Sequence, residues 1–106
     1  MRGELDWNAY ARWTDTVWVS TDNDLSAEGL GLCEEAGEVA GKIRKFMQGR
    51  PVTEAEIAKE LGDVFFFWTR VAKRFDLNLA DIVHQNQDKL EARLSKGVLI
   101  GEGDNR

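Results

Sequence analysis

Two acidic segments carry the clearest chemical potential in this chain: Leu32-Cys33-Glu34-Glu35-Ala36-Gly37-Glu38-Val39 and Ile57-Ala58-Lys59-Glu60-Leu61-Gly62-Asp63-Val64. Both contain acid, any residue, Gly, acid, Val, at an offset of 25 residues. On helices, each pair of acids falls about 60° and 120° to the same side of its leading apolar residue. A lone pair of this kind is ordinary solvated helix surface. Two pairs in mirrored register at the margin of a core would repel one another and lose hydration unless cations countered them. Oxygen donors with no His or Cys at matching positions suit Mg²⁺ or Mn²⁺ better than zinc. Gly37 and Gly62, one in each segment, would allow the two backbones to approach closely.

The elements that must bring these acids together are legible from punctuation and periodicity. Gln48-Gly49-Arg50-Pro51-Val52 contains the only proline and is the strongest turn signal. Thr53 with Glu56 three residues on forms a capping box that starts a helix, and Ser26 is placed to start the preceding one. Leu32, Ala36, Val39, Ile43, Phe46 and Met47, then Ile57, Leu61, Val64, Trp68, Val71 and Phe75, follow three-and-four spacing, which predicts two amphipathic helices. Leu79, Val83, Leu90 and Leu94 predict another, beginning after Asn78 and ending near Gly97. A less regular helix is expected from about Leu5 to Val19. The expected fold is all-α, a four-helix bundle in one domain over residues 1–106. Residues from about 97 to 106, with three glycines, read as a flexible tail or a cover for the site.

An antiparallel hairpin matches residues equidistant from its turn. Glu38 and Glu60 each lie eleven residues from Gly49, and Glu35 and Asp63 each lie fourteen. The four carboxylates should therefore meet at common heights, about 16 to 21 Å from the loop.

On the last helix Asn86, Lys89 and Arg93 continue a line from Ile82 beside the apolar stripe, where an amide, an ammonium and a guanidinium could meet the phosphates of a metal-bound anion. A solvated flank is the plain reading of that line without the acids. Trp13 and Trp68 offer ring faces for a base, although core or interface packing is the better explanation of such aromatics. Phe65, Phe66 and Phe67 occupy most of a helix circumference, so at least one should face a partner helix or subunit, which predicts oligomerisation. Cys33 has only His84 to activate it, which argues against a thiol mechanism.

Composition bounds these readings. The chain has 106 residues, 42% hydrophobic and 31% charged, as expected for one globular domain. A net charge of -5 argues against a binder of nucleic-acid polymers and requires a metal intermediary for any polyphosphate ligand. One cysteine excludes an intrachain disulfide and suits a cytoplasmic setting. No apolar run approaches the roughly 18 to 20 residues of a membrane span.

At its acidic motifs the sequence resembles the MazG-like all-α nucleoside triphosphate pyrophosphohydrolases, whose signature is EExxE followed by ExxD. Here Glu34-Glu35-Ala-Gly-Glu38 is followed after 21 residues by Glu60-Leu-Gly-Asp63, and Asn86-Gln-Asp-Lys89-Leu and the ending Gly101-Glu-Gly-Asp-Asn-Arg106 add to the likeness. The resemblance covers roughly residues 26–106. It implies hydrolysis of (deoxy)nucleoside triphosphates to monophosphate and pyrophosphate, serving nucleotide pool cleansing. It also implies magnesium held by Glu35, Glu38, Glu60 and Asp63, with Glu34 orienting or activating water and Asn86 and Lys89 on phosphate, in a homodimer or dimer of dimers. Two rivals come from other classes. A di-iron bundle would want Glu-x-x-His pairs, which are absent. A non-catalytic helical dimerisation or regulatory module that binds metal or nucleotide would leave the mirrored acids without a purpose.

Overall fold

The computed structural model describes residues 2–19 and 25–97. It contains four helices, α1 (Trp7–Val17), α2 (Ser26–Met47), α3 (Glu54–Arg74) and α4 (Leu79–Ser95), and no strand among the described residues. The fold is all-α, as expected. The expected tail, apart from Gly97, lies outside the described residues.

The helix ends follow local chemistry. Thr53 and Glu56 form the capping box: the Thr53 amide donates to Glu56 Oε2 at 2.7 Å and the Glu56 amide donates to Thr53 Oγ1 at 3.2 Å. Asn78 caps α4 by accepting from the Asp81 amide at 3.0 Å. Asp6 caps α1 through the Ala9 amide, so that helix starts later and ends earlier than Leu5–Val19. Ser26 is the first helical residue of α2; the cap position belongs to Leu25, which makes no side-chain capping bond. Between α2 and α3, Gly49 takes φ 75°, the left-handed region that glycine enters without a Cβ penalty.

The dominant packing is α2 against α3, with α1 laid on α3. Their register is set by Gly31, where an added Cβ would overlap the Phe67 ring. Both residues lie eighteen positions from Gly49, so the equidistance rule holds along the hairpin. The glycine that permits close approach is thus Gly31. Cβ atoms at Gly37 and Gly62 would meet nothing, which corrects the expectation placed on those two residues. One turn further along the seam the buried Glu28 carboxylate accepts from Arg74 Nε at 2.5 Å.

Helix α1 is tied to α3 by charge and by rings. Arg70 donates to Asp15 at 2.6 Å and to the buried Thr14 hydroxyl at 3.0 Å, and Lys73 donates to Asp15 at 2.9 Å. These donors hold the Asp15 carboxyl below the usual range. Trp7 and Tyr10 pack on Phe65, while Trp18 packs on Phe66 and Phe67 with the Arg70 guanidinium over its ring at 4.9 Å. All three consecutive phenylalanines therefore have partners inside the chain, and they give no argument for a subunit interface. Helix α4 packs mainly on α1 and not on the hairpin. Of its apolar stripe only Leu79 is buried, whereas Val83, Leu90 and Leu94 are exposed.

Gly31→Val should lower stability by about 1–3 kcal/mol in urea unfolding, because the Phe67 ring has to move. Gly41→Val, where a Cβ meets open space, should change it by less than about 0.5 kcal/mol.

Candidate metal centre

Each acid reaches the seam for a sequence-local reason. Glu35 and Glu38 follow Leu32 on the α3-facing side of α2, and Glu60 and Asp63 follow Ile57 on the α2-facing side of α3. The hairpin register then superposes the two pairs. One carboxylate oxygen from each of Glu35, Glu38 and Glu60 lies within 4.8 Å of the others. Glu60 is buried, Glu35 half-buried and Glu38 exposed, so the cluster runs from the helix interface out to solvent. Asp63 stands beside them, half-buried, and is the foremost charge acting on Glu35.

Burial raises the Glu35 pKa, and the carboxylates of Asp63, Glu38, Glu60 and Glu34 push it further in the same direction. The arrangement is under electrostatic tension that a divalent cation would relieve. The donor set fits such an ion: it is all oxygen, convergent, and anchored on two helices, as hard Mg²⁺ or Mn²⁺ requires.

The other predicted residues are distributed differently. Glu34 is exposed and acts on Glu35 through its charge, without joining the three converging oxygens. Asn86, Lys89 and Arg93 lie on α4, which rests on α1, so the chain does not draw them onto the carboxylates by helix packing. Asn86 lines a shallow groove with Val83, Gln87, Leu90, Glu91 and Leu94, and Arg93 keeps Nη2 buried without a hydrogen-bond partner. Trp68 stacks on Phe65 with centroids 5.2 Å apart, whereas Trp13, beside Tyr10, is half exposed. Cys33 and His84 are exposed.

The buried Glu28–Arg74 pair was not anticipated. Its signal was present: Glu28 stands seven residues before Glu35 and so shares its helix face.

An all-α hairpin that gathers carboxylates able to hold a metal ion defines a class of helical proteins, and comparison narrows it. Residues 25–98 match the MazG nucleotide pyrophosphohydrolase domain, and the chain belongs to that family. It is also 36% identical over 87 residues to the Gene 37 protein of Mycobacterium phage L5, covering 77% of this chain and 76% of that protein. No solved structure matches it. No helix among the described residues is long and apolar enough to cross a membrane.

A carboxyl whose pKa is raised on folding favours the native state at low pH and loses that contribution as pH climbs from the ordinary carboxyl range through the raised value. In metal-free protein at pH 8, Glu35→Gln should therefore raise Tm. With magnesium added, the parent should gain Tm more at pH 8 than at pH 5, since protons compete for the ligand oxygens, and the variant should lose most of that gain.

Proposed function

We propose that this protein is a magnesium-dependent nucleoside triphosphate pyrophosphohydrolase, converting a (deoxy)nucleoside triphosphate and water to the monophosphate and pyrophosphate. The observation that carries this reading is the convergence of Glu35, Glu38 and Glu60, with Asp63 beside them, on a chain of the MazG family. Glu35, Glu38, Glu60 and Asp63 would hold the ion, with manganese as a substitute. Bound there, magnesium supplies positive charge to phosphate oxygens that would otherwise repel both the cluster and an incoming nucleophile.

The remaining work falls to this chain's own side chains. Glu34, on the exposed rim next to Glu35, orients the attacking water and accepts its proton as the new oxygen–phosphorus bond forms and the α–β bridge breaks. Asn86, Lys89 and Arg93 serve the phosphates, offsetting the charge that collects on the departing pyrophosphate. Trp13, with an open ring face, is the better placed of the two tryptophans to stack on a base, and Trp68 supports the aromatic layer beneath.

The reading extends to one domain over the whole chain, to a cytoplasmic role in cleansing the nucleotide pool, and to a homodimer or dimer of dimers. A non-catalytic dimerisation or regulatory module draws support from the many exposed apolar side chains. Turnover separates the two readings. Purified protein with magnesium should release pyrophosphate from at least one of a panel of common and damaged nucleoside triphosphates. Glu38→Gln should reduce that release by a factor of about 100 or more while circular dichroism keeps its helical signal. Absence of release across the whole panel would leave the non-catalytic module as the correct reading.

A further inference from the structure

The residues that meet along the α2/α3 seam form a ladder of charge with unlike ends. On α2, Glu28, Gly31, Glu35, Glu38 and Lys42 advance in steps of 3, 4, 3, 4; on α3, Glu56, Glu60, Asp63, Phe67 and Arg74 advance in steps of 4, 3, 4, 7. At about 100° per residue each set stays within an arc of about 80°, so each is one strip of its helix. The strips face each other at successive heights: Glu28 meets Arg74, Gly31 meets Phe67, the oxygens of Glu35, Glu38 and Glu60 converge, and the charge of Lys42 acts on Glu56. Lys42 and Glu56 each lie seven residues from Gly49, one layer nearer the turn than Glu38 and Glu60.

The layers on either side of the carboxylates differ. Away from the turn stand Gly31 and the Phe67 ring, which carry no charge, and beyond them the buried Glu28 carboxylate held on Arg74. Toward the turn stands Lys42, half-buried and about 6 Å of helix rise from Glu38. Its opposite number does not consume it. Glu56 Oε2 accepts from the Thr53 amide at 2.7 Å, so that carboxylate is committed to the start of α3, and Lys42 acts on it through charge without forming an ion pair. An ammonium taken part way out of water loses hydration that a bound anion would replace. Four carboxylates also outweigh one divalent ion, so a polyphosphate bridged to that ion needs a further cation beside it. The strips carry two, Lys42 and Arg74, and Arg74 is engaged by Glu28.

We infer that a polyphosphate lies along this seam in one direction, its charged end on Lys42 near the hairpin turn and its nucleoside end toward Gly31 and Phe67, which makes Lys42 a binding residue for the departing pyrophosphate. The inference rests on the triphosphate reading and deepens it by fixing which way round the substrate sits. Lysine is a point charge on a flexible stem, which suits a phosphate group that must leave. The uncharged layer suits a nucleoside, and from Phe67 the aromatic rings of Phe66 and Trp18 continue the apolar surface. The reverse direction would carry the terminal phosphate toward Glu28, whose Oε1 is a buried acceptor with no partner.

Lysine acylation read by mass spectrometry, paired with calorimetry, tests this on the full chain in excess magnesium. Inorganic pyrophosphate should protect Lys42 several-fold relative to the exposed Lys96, and the common deoxynucleoside monophosphates should protect it far less. Lys42→Gln should weaken pyrophosphate binding about tenfold or more, whereas Lys42→Arg should keep it within about threefold of the parent. The footprint of the parent decides the matter if Lys42→Gln does not fold. A protein that cleaves a triphosphate while Lys42 labels at its ligand-free rate under saturating pyrophosphate keeps the reaction and overturns the inference. So does parental pyrophosphate affinity in Lys42→Gln, or protection by a monophosphate equal to that by pyrophosphate. Protection of Lys42 by pyrophosphate in a protein that cleaves no triphosphate sustains the direction of binding and removes the reaction. Binding of neither pyrophosphate nor any nucleoside triphosphate overturns both.

Discussion

The structure is organised around a repulsion it has to hold. Burial and the surrounding acids both make Glu35 harder to ionise, and nothing in the local preferences of two helices rewards bringing such groups together. What holds them is the antiparallel register of α2 and α3. That register begins at a turn in which Gly49 supplies the positive φ and the Thr53–Glu56 box fixes where α3 starts. A slip of one residue at the turn would rotate a whole helix by about 100° and disperse the cluster.

The register is defended further along the seam by contacts of a different kind. Gly31 admits the Phe67 ring, so helix approach is fixed by shape at a point where charge plays no part. Glu28 and Arg74 add a pair whose carboxylate is almost wholly buried, with Oε1 left without a partner. A buried pair of this sort contributes little net stability, but breaking it leaves a stranded charge, so it favours one alignment strongly over others. The acid cluster lies between these contacts and the turn and is positioned from both ends. The same rigidity lets the carboxylates present oxygens to a cation without first having to converge.

Helix α1 and the hairpin answer one another across the far face through Asp15, Arg70, Lys73 and a layer of aromatic rings. This contact makes the molecule lopsided, with polar anchoring and aromatic packing on one side of α3 and a continuous apolar stripe on the other. A helix whose apolar stripe is wider than its intrachain partner can cover has surplus hydrophobic surface.

Local chemistry made much of this legible without coordinates. Capping by Thr53 and Asn78, the turn before Pro51, the amphipathic periods of α2 and α3 and the matching heights of Glu35, Glu38, Glu60 and Asp63 all depend on residues near in sequence or on a count outward from one turn. Such features are decided by backbone hydrogen bonding and helix geometry, which each segment carries with it. The tertiary structure alone decided that Gly31 and not Gly37 or Gly62 is the point of close approach, that three adjacent phenylalanines find partners on α1 and α2, that α4 rests on α1 with Asn86, Lys89 and Arg93, and that Glu28 is buried. Those outcomes turn on which of several apolar faces meet. Burial free energy is nearly indifferent to direction, so a helix with apolar residues on more than one side does not announce its partner; shape and charge complementarity between distant segments make that choice.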